Sequence, residues 1–198
     1  MSNQHGPVAP DAVEGWLRAF GLDVGDRTER EGICAWDVVL DGRRRHDLRV
    51  TVILDPGLGA IAWAHLAPPI GDGLRKAYRT LLRWNDDFPL AKFSVADDGR
   101  PILAVEVPAR WLDEAELGLA LARISAIADA VFQETRGWLW IGGRPPDGYS
   151  ERPSRSAALL ERFADRLGEL AEPAAAGEPG AAGKPAEASS GAAVEAGT

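Results

Sequence analysis

The residues able to do chemistry are few and scattered. The three histidines are His5, His46 and His65, and Cys34 is the single cysteine. A metal site needs ligands in a tight, recognisable spacing, and no two of these residues have one. His46 opens a strand beside an arginine-rich loop, and His65 shares a strand face with Ile61 and Trp63. Cys34 alternates with Trp36, Val38 and Leu40. A reactive thiol needs a basic, partly exposed setting, so Cys34 reads as a small buried hydrophobe.

Two carboxylate pairs, Asp86-Asp87 and Asp97-Asp98, have the residue type for acid–base work. The first ends a helix. The second sits in a hairpin turn, where Asp is expected to bond its own backbone. Gly71-Asp72-Gly73 before Arg75 and Lys76 lacks the spacing of a phosphate-binding loop, and Gly142-Gly143 before Arg144 is weaker still. Arg43-Arg44-Arg45 is a true cluster of positive charge and reads as a solvated hairpin tip, to which an acidic peptide could dock. No serine–histidine–aspartate set is recognisable. No catalytic, cofactor or metal site is expected, and the chain does not read as an enzyme. The seven tryptophans are the richer signal. Most should be core, because each ring buries a large area. Trp36, Trp63 and Trp84 are the candidates for a protein-binding surface, since aromatic residues are enriched there.

The elements that must position these residues follow from periodicity. Asp11-Ala-Val-Glu14 has capping-box spacing. Val13, Trp16, Leu17 and Phe20 follow on one helical face, and Gly21 is a stop. Residues 23–32 are polar and read as a loop. Three strands come next, over 33–41, 46–55 and 60–66, with period-two alternation that buries one face. A second helix is capped by Asp72 and runs to 87, with Leu74, Tyr78 and Leu81 as its stripe, widened by Leu82 and Phe88. Strands 90–96 and 102–107 pair across Asp97-Asp98-Gly99-Arg100. Asp113-Glu-Ala-Glu116 repeats the capping-box spacing and opens the longest helix, with Leu117, Leu121, Ile124, Ala128 and Val131 as one seam ending at Gly137. Residues 138–141 read as a short strand or a packed strap. A last helix over 156–170 places Leu160, Phe163 and Leu167 on one side. The order α-β-β-β-α-β-β-α predicts the α+β class: an antiparallel sheet of about five strands with helices on one face.

The chain has 198 residues and a formal net charge of -8. Its last 28 residues hold 11 Ala, 5 Gly and 3 Pro, with no aromatic, Leu or Ile. Such a segment cannot bury enough apolar area to offset its ordering entropy. The organisation expected is a flexible N-terminus (1–9), one domain (10–141), a loop with an appended amphipathic helix (142–170) and a disordered tail (171–198). An acidic balance argues against nucleic acid as a partner. No stretch is long and apolar enough for a membrane span or a signal peptide, so a cytoplasmic location is expected.

The stretch Leu81-Leu-Arg-Trp-Asn-Asp-Asp-Phe-Pro-Leu-Ala-Lys-Phe-Ser-Val-Ala-Asp-Asp-Gly-Arg100, with residues 101–109, 112–117 and 124–130, resembles the YbjN family. It is also similar to the related TY-Chap domains. The shared features are Asn85 late in a helix, the strand pair Lys92-Phe93, an acidic-Gly hairpin, a strand ending near Pro108, and Asp129 in the following helix. The resemblance implies a type III secretion chaperone-like fold over about residues 10–140. It gives Asn85, Lys92, Phe93 and Asp129 structural roles, Asn85 tying the helix-to-strand turn. It also implies a regulatory or chaperone-like homodimer that binds an extended segment of a protein client. The alternative is a small-ligand sensor or enzyme with a pocket under the long helix, near His65 or Asp86-Asp87.

Overall fold

The computed structural model describes residues 8–71 and 74–171 of the chain. The start of the expected flexible N-terminus, the Asp72 cap and the tail from residue 172 lie outside them.

Six strands form one antiparallel sheet: β1 (Thr28–Arg30), β2 (Ile33–Leu40), β3 (Leu48–Asp55), β4 (Gly59–His65), β5 (Lys92–Val95) and β6 (Pro101–Pro108). Their order across the sheet is β1-β2-β3-β4-β6-β5. The helices are α1 (Pro10–Ala19), α2 (Leu74–Asp87), α3 (Glu114–Ala130), α4 (Phe132–Leu139), α5 (Ala157–Arg162) and α6 (Ala164–Leu167). The class is α+β, with the order expected and one more strand than expected. That strand, β1, is made of exposed Thr, Glu and Arg, so no apolar alternation announced it. It pairs with β2 through a two-residue turn in which Glu31 and Gly32 both take positive φ, 55° and 79°. Such turns match the twist of their flanking strands.

The covered face of the sheet carries the alternation read from sequence. Cys34, Trp36, Val38 and Leu40 of β2, then Leu48, Val50, Val52 and Leu54 of β3, are all buried. Leu103, Val105 and Val107 of β6 continue that layer, with Ala60, Ala62 and Ala64 of β4 between. α3 packs on β4 and β6, and α2 packs on β5. α1 lies against α3, and its Glu14 accepts the indole N–H of Trp36 at 3.3 Å.

α3 is buried nearly all round: Leu117, Leu121, Ile124 and Ala128 face inward as the seam predicts, and Leu119, Ala122, Ala126 and Ile127 are buried as well. A helix apolar on every side needs cover on every side. The outer cover comes from α1, α5 and α6. Leu159, Leu160, Phe163 and Leu167 join the same core. Gly118 makes this possible, because a Cβ there would stand 2.6 Å from the Phe163 ring and 2.8 Å from that of Phe20.

Three local expectations are corrected. The first helix has Ala9 at its N-cap and no side-chain cap. Pro10 lacks the N–H and has the fixed φ that suit the first helical position, so Asp11 falls inside the first turn and pairs with Arg27 at 2.6 Å. The second Asp-x-x-Glu does cap: Asp113 accepts the backbone N–H of Glu116 at 2.8 Å. The long helix breaks at Val131, and α4 carries on through Gly137 to Leu139. On α2 the buried face is Ala77, Leu81 and Trp84, while Tyr78 and Leu82 are exposed. The docking of Trp84 on Phe93 and Trp138, at ring distances of 5.2 and 5.7 Å, sets that rotation. No helix of the described residues is long and apolar enough to cross a membrane.

Candidate functional site

The loop joining β2 to β3 is held from two directions. Asp129, near the end of α3, accepts backbone N–H bonds from Arg43, Arg44 and Arg45 at 2.5, 2.9 and 2.7 Å. A carboxylate meeting successive N–H groups gains charge-assisted bonds. Gly42 leaves the room, since a Cβ there would collide with the Asp129 carboxylate. The arginine cluster is therefore not a free hairpin tip: its backbone is clamped.

On the other side, Arg155 grips the fully buried Asp41 through two guanidinium nitrogens at 2.5 and 2.8 Å. Burial alone would raise the Asp41 pKa. The Arg155 side chain and the N–H groups of Asp47 and Arg155 outweigh it and hold the carboxyl well below its ordinary value. Arg152 holds Asp47 below its ordinary value too. Tyr149 donates to the His46 carbonyl and accepts from its N–H, both at 2.9 Å. The His46 ring is fully buried, and neither nitrogen has a hydrogen-bond partner among the described residues. This cluster joins residues 149–156 to the sheet.

Asn85 bonds Phe93 twice. Its carbonyl accepts the Phe93 N–H at 2.7 Å and its amide donates to the Phe93 carbonyl at 3.2 Å. The side chain thus imitates a neighbouring strand on the outer edge of β5 and ties α2 to it. Phe93 is buried against Trp84, and Lys92 is exposed. Trp36 and Trp84 are 1% exposed and sit in the core, so of the three candidate rings only Trp63 lies on the open sheet face. There it packs edge-on against His65 at 4.7 Å. Burial lowers the His65 pKa, helped by Arg100. Burial also raises the Cys34 thiol, which is inert in the core. Asp87 pairs with Arg83 at 3.4 Å, and Asp98 bonds Arg100 within the turn. No group of three His, Cys, Asp or Glu among the described residues is placed to hold a metal.

One feature of the molecule is open and unsatisfied. The sequence pattern extends the fifth strand back to Leu90, but β5 begins at Lys92 because Leu90 takes φ 66°. Ala109 donates to the Leu58 carbonyl and Leu66 donates to the Pro101 carbonyl. Odd-numbered residues of β6 therefore turn their backbone groups toward β4, and even-numbered ones turn theirs toward β5. The pairing of β5 with β6 ends at Lys92 and Ala104. The next hydrogen-bonded rung would join Leu90 to Glu106, and it is missing. The N–H and carbonyl of Glu106 have no strand partner among the described residues.

Beside this bare edge runs a groove of about 920 Å³ between α3 and β6. Val105, Val107, Leu112, Leu119 and Ala120 give it an apolar lining. At its rim stand Leu90, 74% exposed, and Trp111, 59% exposed, with the Arg110 guanidinium 4.1 Å from the Trp111 ring. Arg123 is half-buried in the wall and makes no hydrogen bond or ion pair among the described residues. Of the carboxylates beside it, Asp113 caps α3 and Glu116 pairs with Arg166 at 2.7 Å. Neither His65 nor Asp86-Asp87 lines the groove. Sequence reasoning placed its candidates elsewhere, and only the exposed, left-handed Leu90 breaks a strand pattern that otherwise hides this edge.

Residues 9–136 match the family model YbjN, described as "Putative bacterial sensory transduction regulator". No curated protein matches the chain.

Proposed function

Since the chain belongs to the YbjN family, we propose that it is a non-enzymatic regulatory domain that holds an extended segment of a protein client in the groove between α3 and β6. The observation that carries this reading is the missing rung at Leu90 and Glu106. An exposed strand edge is a template for another strand, and proteins that do not use one normally cover, charge or shorten it. Here the edge is bare next to an apolar groove. Strand addition supplies backbone hydrogen bonds, and the groove selects side chains. The exposed Leu90 and Trp111 are the large apolar residues expected at the mouth of such a site. A leucine held at positive φ also stores strain of the kind found at ligand clamps.

The alternative, a small-ligand pocket, keeps the same groove but has no convergent acid–base pair to work with. The client reading also suits a homodimer joined through α2, whose outer face exposes Tyr78 and Leu82 one turn apart. The groove itself is assigned to the client.

A photoreactive benzoylphenylalanine in place of Trp111, in the full chain inside the producing cell, tests the reading. Crosslinks to a discrete client polypeptide are expected, and Glu106→Pro should abolish them. Proline removes the free N–H and obstructs the edge, yet it breaks no existing ladder bond, so the fold persists. Crosslinks only to residues 172–198 or to a second copy, or crosslinks unchanged by Glu106→Pro, would overturn it.

A further inference from the structure

We infer that Arg123 makes the groove selective for an acidic side chain on the bound segment, placed two residues from the apolar side chain that fills the groove. This rests on the client reading above and adds the chemistry by which the client is chosen.

Arg123 projects from α3 one helical turn beyond Leu119 and Ala120, into the groove they line. Burial lowers its pKa, the neighbouring Arg166 lowers it further, and Glu116 only partly opposes them. Glu116 is already committed to Arg166 at 2.7 Å, and Asp113 to the Glu116 N–H. Glu106 and Lys92 alternate with buried neighbours, so their side chains leave the sheet on its other face. Arg110, the other cation at the site, lies over Trp111 at the rim. The groove therefore presents, in a partly desolvated apolar wall, a guanidinium with no hydrogen-bond or ion-pair partner among the described residues.

A cation so placed costs stability unless a charge meets it, and a guanidinium fork matches a carboxylate bidentately. A strand added along Glu106–Pro108 turns alternate side chains toward the helices. Two such positions lie about 6.6–6.8 Å apart along a strand, close to the about 5.4 Å rise of one turn of α3. If one of them carries the apolar anchor against Leu119 and Ala120, the next reaches Arg123.

The test pans the immobilised full chain against a displayed library of random linear heptapeptides. Enriched sequences should carry Asp or Glu two positions from Leu, Ile, Val or Phe. For the best peptide, exchange of its acid for the amide and Arg123→Gln should each weaken binding about tenfold or more, and the two together little further. Arg123→Lys should recover part of the loss. Because Arg123 has no hydrogen-bond or ion-pair partner among the described residues, Arg123→Gln should melt no lower than the parent, which separates lost recognition from lost structure. Enrichment of apolar peptides without an acid, or equal binding by Arg123→Gln, would overturn this inference and leave the client reading standing. Enrichment of nothing would count against both.

Discussion

Asp41 and Asp129 are the two carboxylates on which the β2–β3 loop depends, and they work differently. Asp129 accepts three successive backbone N–H groups and so organises the loop. Asp41 is fully buried and meets a guanidinium. Its pKa in the fold lies below the ordinary value near 4, the value it returns to on unfolding. Stability from this group is therefore fully present above about pH 4 and lost progressively as pH falls below it. Asp47, held down by Arg152, adds to the same limb. Asp41→Asn should lower the urea midpoint at neutral pH and flatten its decline between about pH 4 and pH 3. An acid limb as steep in the variant as in the parent would show that Asp41 is not the titrating group.

At the scale of elements, two small irregularities decide what the sheet can do. Leu90 leaves the strand conformation, so β5 is four residues long and β6 keeps a bare edge. Gly118 removes a side chain from the outer face of α3, so Phe20 and Phe163 meet over it at 6.4 Å. Gly118→Ala should destabilise the protein by about 1–3 kcal/mol through overpacking, despite alanine's better helix propensity. Guanidinium denaturation reads this directly, and a variant as stable as the parent would mean that α5 and α6 adjust without cost. The elements themselves were largely legible. The alternation of β2, β3 and β6 and the seam of α3 follow from which side chains must leave water. The rotation of α2 was not, because Ala77, Leu81 and Trp84 compete with Tyr78 and Leu82 for the buried face. The Trp84 ring settles it by packing on Phe93.

For the described residues as a whole, the helices lie on one face of the sheet, and the other face carries Ile53, Ile61, Trp63 and His65 at partial exposure. The domain thus has three surfaces to offer: the open face, the groove beside β6, and the outer side of α2. If α2 supplies the homodimer contact, light scattering at high micromolar concentration should give twice the chain mass. Leu82→Glu should then give a monomer with an unchanged melting temperature, since an exposed substitution costs the fold about 0.5 kcal/mol or less. A parent that scatters as a monomer rejects the dimer.

By itself the sequence determined the α+β class, the buried faces of β2, β3 and β6, the Asp113 cap and the turn role of Asp97-Asp98. These depend on periodicity and on bonds between near neighbours, which a linear pattern records. Tertiary structure alone decided the rest. Asp129 reaches a loop more than eighty residues away, Arg155 neutralises Asp41 across more than a hundred, and Arg123 has no hydrogen-bond or ion-pair partner among the described residues. Pairing between distant charges, and the absence of a pair, depend on where the backbone returns in space, and no local pattern encodes that.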